Sequence, residues 1–134
     1  AAYLKQKGKV QQRIIAYLWS IPTSLDIEVA GKRFYMVHGF PGDNVHDEVW
    51  TRPTIESENP IPDCRLSIGH TKVLSMIQPE EKRINHALDL ENRGEHLNIL
   101  HAPGFINLDC GCGYDMPIKA LACLRLEDFQ EFYT

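Results

Sequence analysis

The sequence predicts one α/β domain whose strands are mostly joined by hairpins. Three observations favour this: a helical apolar face near the start of the chain, segments that alternate apolar and polar residues, and turn residues between them. A length of 134 residues suits a single domain with its own hydrophobic core. We therefore treat residues 1–134 as one domain, with no internal repeat.

The first part of the chain predicts a helix followed by a β-hairpin. Four apolar residues recur at helical spacing: Val10, Ile14, Tyr17 and Leu18. They predict a helix over residues 3–19, which Pro22 ends. Residues 25–29 alternate apolar and polar, which predicts a half-buried strand. Residues 34–37 are more apolar and predict a deeper partner strand across a turn at Gly31.

The middle of the chain predicts shorter elements. Residues 45–51 are expected to form a short helix, and residues 53–63 a proline-rich loop. A short buried strand over residues 66–68 leads into a helical turn over residues 73–76.

The last third of the chain begins with a highly charged stretch over residues 79–96. It predicts an irregular excursion with a strand at residues 84–90. Further strands are expected over residues 97–100, 105–108, 120–126 and 129–133, the first two as a hairpin.

Composition excludes several classes of function. Fourteen basic and eighteen acidic residues give a net charge of −4, which predicts no nucleic-acid polymer or anionic membrane as a partner. No apolar run approaches the ~20 residues of a membrane-spanning helix, and the polar start of the chain does not resemble a signal peptide. We expect a soluble, cytoplasmic protein.

The four cysteines give no strong motif. Cys110 and Cys112 form a C-x-C pair without the second pair that structural zinc requires. Buried, reduced thiols in strands are the expected state of all four, with metal binding or redox use as the alternative.

Polar groups follow three of the predicted strands. His38 and His70 each lie one or two residues after a strand and beside a glycine, and Asp109 directly follows a strand, two residues before Gly111. Ligands gather outside the carboxyl ends of strands in open α/β sheets, and neutral imidazole is a common metal ligand. A metal site and hydrogen-bonded structural histidines are both consistent with this pattern.

Five segments in order resemble the C-terminal half of a calcineurin-like metallophosphoesterase. They are Phe34-Tyr35-Met36-Val37-His38-Gly39, Val49-Trp50-Thr51-Arg52-Pro53, Ile68-Gly69-His70-Thr71, Ile106-Asn107-Leu108-Asp109-Cys110-Gly111-Cys112 and Ala120-Leu121-Ala122-Cys123-Leu124-Arg125-Leu126-Glu127-Asp128. The resemblance spans residues 14–133 and is to bacterial serine/threonine protein phosphatases and diadenosine tetraphosphate hydrolases.

The resemblance implies a fold and a site. The family fold is a four-layer α/β/β/α sandwich with two divalent metal ions, of manganese, iron, zinc or nickel. His38 and His70 match metal-binding histidines, and Arg52 matches an arginine near the substrate phosphate, with a surface ion pair as its alternative role. Asn107 and Asp109 match a strand-end pair that we interpret as structural, and Tyr114 matches a residue at the cleft that we expect to be packed.

Three family segments are absent from the sequence: Asp-x-His, Gly-Asp-x-x-Asp-Arg-Gly and Gly-Asn-His-Asp/Glu. They would supply the bridging aspartate, further metal ligands and the general acid. The resemblance therefore implies half of a sandwich, with Ala1 inside a helix and a longer insertion over residues 78–96. Dimerisation or exchange of elements would cover its open sheet faces and make a homodimer.

We expect the parent protein to hydrolyse phosphate esters or anhydrides, with a phosphoprotein or a nucleotide as substrate. The isolated chain should be inactive and bind metal weakly or not at all. The first alternative is a non-catalytic binding or structural module on half of this fold. The second is a mononuclear site of His38, His70 and either Cys110 or Cys112.

Overall fold

A computed structural model describes residues 2–134, which contain both helices and strands. The helices are α1 (Ala2–Ser20), α2 (Val45–Trp50), α3 (Val73–Ile77) and α4 (Glu80–Asn92). The strands are β1 (Ser24–Val29), β2 (Lys32–Val37), β3 (Arg65–Ile68), β4 (Leu100–His101), β5 (Ile106–Asn107), β6 (Ala122–Leu124) and β7 (Glu131–Tyr133). The mixed α/β class is confirmed. Ala1, which was expected inside a helix, lies outside the described residues.

Five strands form one mixed sheet in the order β1-β2-β3-β5-β4. The central strands β2, β3 and β5 are parallel, whereas β1 and β4 pair antiparallel at the two edges. Met36, Ser67 and Ile106 are aligned across the parallel strands. All three parallel strands therefore point their carboxyl ends at the same edge of the sheet. Strands β6 and β7 form a separate antiparallel pair.

Two groups of buried side chains hold the sheet in place. One contains Val37, Leu66, Ile68 and Phe105, with Phe40 and Met76 packed against it. The other contains Leu74, Leu90, Leu97, Ile99, Ile106, Cys110, Ile118, Ala120 and Leu124. The sheet is thus packed against α3, α4 and the C-terminal segments, and removal of this apolar surface from water is the main force that stabilises it.

The prediction of a strand at residues 84–90 is wrong, because this stretch lies in α4. Arg83, Ala87 and Leu90 are spaced as i, i+4 and i+7, and they face the rest of the protein. The helical period is hard to recognise in the sequence because one inward position is an arginine and Ile84 is 74% exposed. Gly94, with a φ of 66°, follows the helix in the left-handed conformation that favours glycine.

Several C-terminal strands are shorter than predicted. The strand expected over residues 120–126 is limited to β6, and Ala120 forms only an isolated parallel bridge with Gly111. Similarly, residues 97–99 lie outside β4. The Leu97 N–H donates to the Ile118 carbonyl at 2.8 Å and not to a neighbouring strand of the sheet. These apolar residues are buried by packing of irregular backbone, which periodicity alone does not distinguish from a strand.

Helix α1 has an apolar face that no other part of the described chain covers. The side chains of residues 9–20 are all exposed, and Ile14 and Tyr17 are 53% and 67% exposed. The face predicted from helical spacing thus exists but does not contribute to the core. Within residues 2–134, none of the helices is both long and apolar enough to span a membrane.

Candidate metal-binding site

His38 and His70 meet at the carboxyl ends of the neighbouring parallel strands β2 and β3. His38 directly follows Val37, and His70 is two residues beyond Ile68. The Gly69 N–H donates to the His38 carbonyl at 3.0 Å, so the hydrogen bonding of the sheet continues past the strand ends. The Nδ1 atom of His70 lies 3.0 Å from the Nε2 atom of His38, and the two ring centroids are 4.8 Å apart.

The pair has the spacing that a divalent metal needs, and the ring of His70 is neutral. Two nitrogens bound tetrahedrally to one zinc ion lie about 3.3 Å apart, close to the separation found here. Burial, the neighbouring His38 and the Arg52 charge lower the pKa of His70, while Asp109 opposes them. His70 is therefore neutral at physiological pH, the form in which imidazole binds metal. The donor set fits two ligands of one ion.

Arg52 and Trp50 complete the surroundings of His70. The Nε–H of Arg52 donates to Nε2 of His70 at 3.4 Å, which places the His70 proton on Nδ1. The proton then points at Nε2 of His38, and the three side chains form one hydrogen-bonded chain. Trp50 sits edge-on to the His70 ring, with a centroid distance of 5.4 Å.

A carboxylate on α2 fixes this helix against the sheet. Glu48 accepts hydrogen bonds from Tyr35 at 2.9 Å, from Ser24 at 3.3 Å and from Thr23. The Thr23 hydroxyl, followed by those of Tyr35 and Ser24, lowers the pKa of Glu48, so its carboxylate stays ionised at neutral pH. These bonds determine where α2 ends and hence where Trp50 and Arg52 lie.

Gly39 allows α2 to approach His38 closely. Its N–H donates to the Glu48 carbonyl at 2.6 Å. A Cβ atom on Gly39 would lie 2.8 Å from the Val49 carbonyl carbon, closer than real Cβ contacts. The glycine after His38 is thus needed for close backbone packing.

Asn107 and Asp109 support the loops around the site. Asn107 is buried; its Nδ2 donates to the Thr71 carbonyl at 2.6 Å, and its Oδ1 accepts from the Asp109 N–H at 3.0 Å. The Asp109 carboxylate accepts from the Gly111 N–H at 2.9 Å. Both side chains bond to backbone groups that shape the loops after β3 and β5.

Tyr114 lies at the surface near the site. It is 47% exposed rather than packed, and the Lys72 ammonium lies 3.7 Å from the centroid of its ring. This cation–π contact joins the loop after His70 to the glycine-rich turn.

The cysteines do not join the two histidines. Within residues 2–134, no group of three or more His, Cys, Asp or Glu side chains is placed to hold a metal ion. Burial, together with the Asp109 and Glu131 charges, raises the pKa of Cys110 to about 11, so its thiol stays protonated at neutral pH. Cys112 and Cys123 are exposed, so the expectation of four buried thiols is wrong.

Two contributors to the site were missed from the sequence. Trp50 is the first residue of the Trp-Thr-Arg segment and Glu48 lies two residues before it, but neither was predicted to act at the site. Glu48 bonds Tyr35 across thirteen positions of sequence, and no local pattern predicts such a contact. For Trp50, its position two residues before Arg52 was the available signal.

Comparison with protein-family models, with curated proteins and with solved structures finds no match to this chain. The metallophosphoesterase resemblance therefore stays a prediction from the sequence.

We predict that Gly39→Ala disturbs the site and that Gly69→Ala does not. Gly69 also lies between a strand and the histidine pair, but an added Cβ there meets nothing within 4 Å. Gly39→Ala should destabilise the fold by about 1–3 kcal/mol, as overpacking does. Urea unfolding measures the stability, and the NMR signals of the His70 ring report displacement of Trp50. Equal effects of the two substitutions would contradict this account of Gly39.

Proposed function

We propose that this chain supplies one half of a two-metal phosphoesterase centre that hydrolyses phosphate esters or anhydrides. The substrates would be those of a serine/threonine phosphoprotein phosphatase or a dinucleoside polyphosphate hydrolase. The observation that carries the proposal is the histidine pair, with ring nitrogens 3.0 Å apart at the parallel strand ends and Arg52 beside it. The proposed architecture is half of a four-layer α/β/β/α sandwich.

In this proposal His38 Nε2 and His70 Nδ1 hold one divalent ion of manganese, iron, zinc or nickel. Metal ions in such centres activate a water molecule and neutralise phosphoryl oxygens. Two histidines do not complete a two-metal site, so the carboxylate and asparagine ligands must come from a polypeptide segment outside these 134 residues. The chain alone is accordingly inactive and binds metal weakly.

Arg52 has two states in this proposal. When Nδ1 of His70 is a ligand, the proton of the neutral ring moves to Nε2. The Nε–H of Arg52 then faces another donor and can no longer bond to His70. Its guanidinium becomes available for the substrate phosphate, which arginine binds with parallel hydrogen bonds. Metal binding and the position of Arg52 are coupled through the tautomer of one ring.

The test of the proposal is zinc or manganese binding to the chain, measured by titration calorimetry. His38→Ala and His70→Ala should each reduce the affinity by about tenfold or more, because each removes half of the protein ligands. His46→Ala is the control, because His46 is exposed and lies outside the pair.

The pH dependence of this binding follows from the lowered pKa of His70. Protons compete with metal for His70 only below that lowered pKa, so the contribution of His70 to the affinity should hold as pH falls through 6.5 and decline at lower pH. The same shift makes the folded state bind fewer protons than the unfolded chain, so stability also falls as pH drops below 6.5.

Zinc binding that survives both histidine substitutions would contradict the proposal.

A second candidate function is a non-catalytic binding module, and the exposed apolar face of α1 favours it. We propose a homodimer in which a second copy covers this face and the open sheet surface around Leu25 and Met36, because exposed apolar surface of this kind marks interfaces. Light scattering should show a dimer that Ile14→Glu dissociates and that Gln12→Glu, on the opposite side of the helix, leaves intact. A wild-type monomer at high concentration would contradict this.

A further inference from the structure

A cavity of about 380 Å³ lies next to the histidine pair, between the loop after α2 and the helices α3 and α4. Arg52 and Arg83 both line it, together with Thr71 and Ser75. Arg52 also contacts His70, so the cavity adjoins the proposed metal position. Arg83 lies in the charged stretch that the family resemblance marks as an insertion.

Neither arginine has a carboxylate partner. Among residues 2–134, the salt bridges involve other basic side chains. Arg83 is held by two backbone carbonyls instead, with Nε donating to Gln78 at 3.1 Å and Nη2 to Ser75 at 3.2 Å. These bonds fix the guanidinium in place and leave its charge uncompensated. An immobilised arginine of this kind is prepared for an anion.

Thr71 also lines the cavity and carries a hydroxyl group. Its Oγ1 atom is buried and has no hydrogen-bond partner in the described part of the chain. A buried hydroxyl without a partner costs free energy, so such an atom commonly marks the place of a ligand or ordered water. Glu56 also lines the cavity, but two guanidinium groups against one carboxylate leave the cavity positive.

We propose that this cavity binds a second phosphate group, next to the phosphate that lies at the metal pair. Three donors from separate segments suit the three free oxygens of a tetrahedral phosphate better than the two oxygens of a planar carboxylate. Arg52, between the metal position and the cavity, would contact both phosphates. This inference rests on the proposed function and narrows its substrate to a phosphoanhydride such as a dinucleoside polyphosphate.

The test is binding of inorganic pyrophosphate to the full 134-residue chain in the presence of a chelator, measured by calorimetry. Pyrophosphate should bind at least tenfold more tightly than orthophosphate, because its second phosphate can reach the terminal nitrogens of Arg52, which do not bond to His70 in the metal-free chain. Arg83→Gln should weaken pyrophosphate binding about tenfold, and Thr71→Val should weaken it less, because neutral hydrogen bonds are weaker than charged ones. Circular dichroism checks that each variant is folded, and Arg83→Lys, which keeps the charge, should lie between wild type and Arg83→Gln.

Arg93→Gln is the matched control, because Arg93 follows the same helix but pairs with Asp89 and Glu95 at the surface. It should leave pyrophosphate binding unchanged. Binding that Arg83→Gln and Thr71→Val leave unaltered would overturn the inference. The inference would also be overturned if a phosphoserine peptide with an adjacent acidic residue bound as tightly as pyrophosphate. Because the assay is metal-free, failure of the metal-binding experiment does not alter its outcome.

Discussion

The parallel pairing of β2, β3 and β5 is the constraint on which the rest of the structure depends. It brings three strand ends to one edge, and the hydrogen bonds of the sheet continue beyond them. The Gly69 N–H binds the His38 carbonyl, and the Leu108 N–H binds the Ile68 carbonyl. His38 is therefore attached to the sheet through its own backbone, and His70 through its neighbour Gly69. Because backbone hydrogen bonds already position the histidine pair, little conformational entropy is lost when the pair binds a ligand.

A second interaction, around Glu48, determines what surrounds that pair. One ionised carboxylate binds three hydroxyls from two strands and the turn before them, and this holds α2 over the sheet edge. Hydrogen bonds to charged groups contribute about 1.5–3 kcal/mol each when both partners are present. The position of Arg52 follows from this anchor, since Arg52 lies two residues past the end of α2. The histidines and the arginine thus depend on separate supports that meet at His70.

Sequence reasoning predicted the parts of the protein whose signals are local. The hairpin of β1 and β2, the helix α1 and the strand before His70 follow from alternation, helical spacing and turn residues. The charged helix α4 was predicted as irregular with a strand, because Arg83 occupies an inward position where an apolar residue is expected. The same residue then lines the cavity beside Arg52, so the wrong prediction and the missed cavity have one cause.

Non-local contacts account for the remaining differences. The bond between Glu48 and Tyr35 and that between Leu97 and Ile118 join segments whose order in the sequence gives no signal of their contact. Conversely, the proximity of His38 and His70 could be predicted from their positions after two strands, because β2 and β3 are parallel neighbours. The structure brings these two histidines and Arg52 together, while Asn107 and Asp109 bond to loop backbone and Tyr114 contacts Lys72.

The central claim is that His38 and His70 bind one metal ion through two particular ring nitrogens. Nitrogen-15 NMR of the histidine rings during zinc addition tests it most directly, because a bound nitrogen shifts while its ring partner keeps the proton. We predict shifts at Nε2 of His38 and Nδ1 of His70 together, with the His70 proton moving to Nε2. Zinc that shifts other histidines and leaves these two nitrogens unchanged would contradict the account.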